Sequence, residues 1–250
     1  MRVPVIAVGC GAGVQMALAL GLLLAGPQAR ADGLRSSVVV TSDYVQRGVS
    51  QTNGEPALQG SVAYWHPTGW YAGAWASNVE TARRYYTPRG ARTELNLFLG
   101  LGMHVADDWV VDAKVVRYLY PNDPAPVNYD YNELSVGLAW RERLYASVSV
   151  APGTTLFAHT GGVRNRTAVA GELSFQQPLT DWFTWLLGGG YYEVSNPPVS
   201  GYFYGGTGLA LQLHKFSVEL MHFRTSGAGI DLFGRELAGP RTVITASLTF

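Results

Sequence analysis

Six carboxylates stand out by where they lie: Asp43, Glu94, Asp112, Glu133, Glu172 and Glu219. Each sits in a run of alternating polar and apolar residues, where a charge is costly unless it is paired or wet. Arg47 and Lys114 are the cations in comparable settings, and Asn96 stands two residues after Glu94. At strand period, Glu94 and Asn96 share one face, Asp112 and Lys114 share another, and so do Asp43 and Arg47. Such a set has two uses. It can pair up and fill a narrow interior, or it can line a water-filled path that favours cations or polar solutes.

Other chemistry finds less support. The five histidines (His66, His104, His159, His214 and His222) show no pair at the i, i+2 or i, i+4 spacing of a metal site, so neither metal nor cofactor is expected. His222 and Ser226 are the nearest approach to the base and nucleophile of a lipid-modifying enzyme, but no third residue stands ready to orient them. Glycine clusters such as Gly188-Gly189-Gly190 lie within strand-like runs, where glycine permits curvature and close approach and does not mark a phosphate loop.

The elements that must carry the charges are strands. Twelve alternating stretches are expected: Leu34–Asp43, Ala57–Trp65, Tyr71–Asn78, Thr93–Met103, Val110–Tyr120, Tyr129–Trp140, Leu144–Val150, Ala168–Gln176, Phe183–Glu193, Tyr204–Leu213, Phe216–Phe223 and Arg241–Phe250. Most are about ten residues, the length of a tilted strand across a bilayer. The links alternate strictly between long and short. Short ones fall at His66–Gly69, Asp107-Asp108, Arg141–Arg143, Pro178–Asp181 and His214-Lys215. That rhythm predicts an all-β, antiparallel up-and-down transmembrane barrel with both termini at the short-turn end. The bland alternative, a soluble β-sandwich, has no reason to sort its links by length.

An apolar outer face then assigns the sides. Leu95, Leu97, Leu99, Leu101 and Met103 face lipid, and Glu94, Asn96 and Phe98 face inward; Leu134, Val136 and Leu138 face out and Glu133 in. Arg117 joins the interior only if a bulge rotates its strand. Tryptophans cluster beside the short turns and tyrosines beside the long links, as two interfacial girdles would require.

The N-terminus supplies a compartment. Arg2, an apolar stretch from Val14 to Ala25, and Ala29-Arg30-Ala31 have the form of a secretory signal, so residues 1–31 are expected to be removed and 32–250 to form the barrel. Cys10 leaves with the signal, and the mature chain has no thiol. Without Arg2 and Arg30 the basic count falls from 18 to 16 against 18 acidic residues, a net charge of −2 that gives no reason to expect nucleic acid. The last stretch, Thr242–Phe250, puts Ile244, Ala246, Leu248 and Phe250 on one face, and its terminal phenylalanine, with Leu248, resembles the assembly signal of bacterial outer-membrane proteins.

One segment carries a family resemblance. Ser42-Asp43-Tyr44-Val45, followed by Arg47-Gly48-Val49-Ser50-Gln51-Thr52, resembles the signature of the TorF-type porins of proteobacteria; Pro56–Gly60 and Gly69–Asn78 are similar to it as well. Gln46 stands where an aromatic is usual. The resemblance implies an outer-membrane barrel whose solute is not established. The expectations that follow are localisation in the cell outer membrane and contact with its lipid and lipopolysaccharide. Loop arginines (Arg83, Arg84, Arg89, Arg92, Arg164, Arg166) suit lipopolysaccharide phosphates or a solvated face. The barrel assembly machinery is the other expected partner. Passive passage of small polar solutes or ions, cations preferred, is the leading function; a structural or adhesion barrel without transport is the alternative. Asp43 and Arg47 are expected as a charge pair on the first strand near the outer mouth, with Tyr44 in the outer girdle.

Overall fold

The computed structural model describes residues 33–82, 90–121, 129–158, 162–196 and 199–250. The expected leader lies outside the described residues, as do Arg83, Arg84, Arg89 and His159.

Twelve antiparallel strands close into a barrel. In chain order the strands are β1 (Gly33–Thr41), β2 (Val45–Gln46), β3 (Val49–Ser50), β4 (Ala57–Trp65), β5 (Trp70–Asn78), β6 (Thr93–Ala106), β7 (Trp109–Leu119), β8 (Tyr131–Trp140), β9 (Leu144–Ala158), β10 (Gly162–Pro178), β11 (Phe183–Asn196), β12 (Val199–Leu213), β13 (Phe216–Thr225) and β14 (Arg241–Thr249). All but β2 and β3 belong to the barrel. Each strand pairs with its neighbours in sequence, and β1 closes the ring by pairing with both β4 and β14.

The alternation explains the wall. In β6, Glu94, Asn96, Phe98 and Gly100 are buried, while Leu97, Leu99 and Leu101 are exposed. β8 repeats this with Tyr131, Glu133 and Gly137 inside and Leu134, Val136 and Leu138 outside. In a soluble protein such an apolar exterior would be a liability. On a transmembrane barrel such a band is the surface offered to hydrocarbon, where a charge costs about 2–4 kcal/mol at mid-depth. Arg117 stays outside that logic's exception: the only shift in the β6–β7 register is at His104/Ala106, so no bulge rotates it inward. It lies beside Asp130 at 3.5 Å.

The upper ends differ from expectation. β9 and β10 run on as a paired ribbon through most of the expected 151–167 link. The ladder absorbs Pro152-Gly153 as a bulge opposite Arg166–Ala168, with Gly153 at φ 70°. In the β13–β14 link two short helices, α1 (Gly227–Phe233) and α2 (Arg235–Ala238), cover the mouth and pack on β12 and β3.

Candidate functional site

The segment after β1 does not continue up the wall. β1 ends at Thr41, and residues 42–55 fold back into the barrel as a hairpin of β2 and β3. Its turn is Arg47-Gly48, with φ 48° and 76°. Positive φ at both positions is what a two-residue type I′ hairpin needs, and Gly48 supplies it freely while Arg47 does so at a cost of about 1–2 kcal/mol. Gly48 also fits where a side chain would not: an added Cβ would lie 2.7 Å from Tyr204 Cβ and closer still to Thr225 Oγ1. The Thr225 hydroxyl donates to Gly48 O at 2.8 Å.

One wall anchors this hairpin. Val45 packs with Met221, Phe223 and Val243 of β13 and β14. At its base, the Asp43 carboxylate accepts from Ser50 Oγ at 2.6 Å and Thr52 Oγ1 at 2.9 Å. Arg241 Nη1 donates to its other oxygen at 2.6 Å. Arg241 also donates to Glu236 O and Gly239 O, which ties the hairpin to the α1–α2 cover.

From that anchor Arg47 reaches the opposite wall. Its Nη1 and Nη2 donate to Glu133 Oε2 and Oε1 at 2.8 and 3.0 Å. Nη2 also donates to Ser149 Oγ at 3.0 Å and lies 3.7 Å from Glu172. The guanidinium sits 4.7 Å over the Tyr192 ring. Arg47 is 5 % exposed, so these contacts bridge the interior out of bulk water. Asp43 and Arg47 are therefore not partners. Each pairs elsewhere, because the type I′ turn separates two residues that strand period would have placed on one face.

The other charged residues are also inside. Glu94 is fully buried; it accepts from Tyr44 Oη at 3.3 Å, Asn96 Nδ2 at 2.8 Å and Tyr120 Oη at 3.4 Å. Asp112 accepts from Tyr71 Oη at 2.7 Å, and Glu172 accepts from Tyr204 Oη. Glu219, 4 % exposed, has one carboxylate oxygen without a hydrogen bond among the described residues. Lys114 lies at the wall of a cavity of about 40 Å³, shared with Arg47, Asn96, Tyr145, Glu133 and Glu172. That is room for about three waters.

Tyrosines fill much of what remains. Tyr44, Tyr118, Tyr120, Tyr129, Tyr131, Tyr192, Tyr202 and Tyr204 are buried inside, so the expected outer tyrosine girdle is largely an interior packing layer. Tyr44 meets Trp75 edge-on at 5.4 Å, and Tyr118 stacks on Tyr131 at 4.3 Å. Period two carries the signal: Tyr118 shares its face with Asp112 and Lys114. Trp70, Trp109, Trp182 and Trp185 are exposed at the short-turn end, whereas Trp65 turns inward and stacks on Tyr71 at 4.3 Å. His222 and Ser226 are engaged separately, His222 Nδ1 with Thr242 Oγ1 at 3.0 Å and Ser226 Oγ as acceptor from Phe203 N.

Comparison with solved structures places the fold. The barrel resembles that of the NanC porin, with a TM-score of 0.58 at 10 % identity over 87 % of this chain and 99 % of that one. The KdgM porin aligns with a TM-score of 0.50 at 6 % identity over 87 % and 98 %. At these identities the likeness is one of fold. No curated protein matches the chain. Residues 27–216 match the family model described as "Bacterial protein of unknown function (Gcw_chp)", and the chain belongs to that family.

Proposed function

We propose that this chain is an outer-membrane channel for small polar solutes, constricted by its own β2–β3 hairpin and favouring cations. One observation carries the reading: a polar cavity lies beside the single arginine that spans from the anchored hairpin to the far wall. A barrel needed only as a shell has no use for buried charge at mid-lumen, where apolar packing is at least as stabilising. Six interior carboxylates face Arg35, Arg47, Lys114 and Arg241, an excess of acid that would attract cations and repel anions. The fold shared with two porins and the TorF-type signature at Ser42–Thr52 support the same reading. In this setting the apolar band would meet outer-membrane lipid and lipopolysaccharide, and the strand ending in Leu248 and Phe250 would be presented to the barrel assembly machinery.

The packed interior favours a second reading, a structural or adhesion barrel without transport. Conductance in planar bilayers separates them. The channel reading expects small cation-preferring currents that rise several-fold when residues 42–55 are replaced by a short Gly-Ser link. A folded barrel that stays silent with and without the hairpin would establish the second.

A further inference from the structure

The seat that holds Arg47 belongs to the wall, and only its occupant belongs to the hairpin. Glu133 on β8, Ser149 on β9, Glu172 on β10 and Tyr192 on β11 come from four consecutive strands. Together they offer two carboxylates, a hydroxyl acceptor and an aromatic face to one planar cation. Carboxylates bind a guanidinium in this bidentate way, and an aromatic face adds attraction for any cation. Two carboxylates meet the one guanidinium in the seat, and Lys114 lies on the wall of the adjoining cavity. The seat also opens onto the neighbouring cavity, which Glu133 and Glu172 help to line.

We infer that this seat is a recognition site for solutes carrying a guanidinium or primary ammonium group, which pass by taking the place of Arg47; the inference rests on the channel reading above. Withdrawing Arg47 alone leaves two buried carboxylates without their cation, which is strongly unfavourable. A neutral solute brings hydrogen-bond donors at most and offsets much less of that cost, and an anionic one adds to it. A cationic group does, because it restores the contacts that Arg47 gives up. Opening and selection are then one event: the hairpin yields to solutes that resemble its own side chain.

The test compares arginine with citrulline, which has nearly the same shape but a neutral urea group. In liposome-swelling assays on the full barrel, arginine should enter at least about fivefold faster, a difference near 1 kcal/mol. The R47A/E133Q/E172Q variant should bring the ratio to about one. A binding arm needs no transport. R47A should melt lower than the parent, and methylguanidinium at several times its Kd should raise that midpoint by about 2–4 °C. The triple variant should show no such rise. A conducting barrel that passes both solutes equally, or a triple variant that keeps the preference, would overturn the inference while leaving the channel reading intact. If parent and hairpin-deleted barrels are both silent, the channel reading fails and takes this inference with it; that outcome is distinct because no current or swelling is seen with any solute.

Discussion

Arg47 and Glu133 meet as a bidentate pair across the barrel, with Nη1–Oε2 at 2.8 Å and Nη2–Oε1 at 3.0 Å. The guanidinium comes from the turn of an infolded hairpin and the carboxylate from the wall, so this pair fixes the hairpin's reach. Arg47→Ala leaves Glu133 and Glu172 buried without their cation, and breaking a buried pair from one side typically costs about 3–5 kcal/mol. Urea unfolding in detergent or vesicles should show a loss of that order, and single-channel current should rise. Arg47→Lys should recover only part of the stability, because a point ammonium cannot reproduce the two parallel bonds.

The same hairpin has a second dependence, on the turn itself. Gly48 has φ 76° and no room for a Cβ beside Thr225 and Tyr204. Gly48→Val therefore combines backbone strain with a clash and should push the turn, and Arg47 with it, out of register. The expected outcome is a folded barrel with a loss of about 2–4 kcal/mol and a larger conductance. A Val variant with parental stability and parental current would show that the turn does not set the position of Arg47.

Asp43 and Arg241 tie the hairpin base to the mouth at 2.6 Å. Because Asp43 also accepts from Ser50 and Thr52, removing it strips three bonds at once. Asp43→Ala should cost more than Arg241→Ala, since it takes the acceptor from two buried hydroxyls and leaves Arg241 with only the Glu236 and Gly239 carbonyls. A double-mutant cycle on urea midpoints should return a coupling of about 1–3 kcal/mol. Additive effects would mean that the two residues act independently.

These residues show how far strand logic carries. The twelve barrel strands, their short turns and the facing of Glu94, Glu133, Leu97 and Leu134 all follow from period two and from the demand for an apolar exterior. The hairpin does not follow from it. Gln46, Gln51 and Thr52 read as a polar surface loop, because connecting segments usually lie in water. What buries them is the width of a twelve-strand barrel, a property of the closed ring and not of the segment. The tyrosines are legible from the same period: Tyr118 lies an even number of residues from Asp112, so its ring points inward with that carboxylate and not into an outer girdle. The ribbon of β9 and β10 is not legible for another reason: a Pro-Gly pair such as Pro152-Gly153 fits a bulge as readily as a loop.

Interior packing makes its own prediction at Gly100. It lies directly across from Tyr71 in the β5–β6 ladder, and the tyrosine ring occupies the space a Cβ would take. That placement lets Tyr71 Oη reach Asp112 at 2.7 Å. Gly100→Val should displace the ring, leave Asp112 without this donor and lower stability by about 2–4 kcal/mol. Adding Tyr71→Ala removes the clash, so the double variant should be more stable than the sum of the two losses implies.

Two variants at Phe250 allow folding and assembly to be measured separately. The Phe250 ring is exposed, but its backbone closes the β1–β14 seam: its N–H donates to Ser36 O at 2.8 Å and its carbonyl accepts from Ser36 N at 3.2 Å. Deleting Phe250 removes both bonds, which should cost about 1–3 kcal/mol in a refolded barrel. Phe250→Ala keeps both and removes only an exposed ring, so the refolded protein should match the parent within about 0.5 kcal/mol. If the ring is read by the assembly machinery, Phe250→Ala should still lower the amount of folded barrel in the outer membrane of cells, with the deletion lower again. Equal yields in cells for Phe250→Ala and the parent would confine the residue's role to the seam.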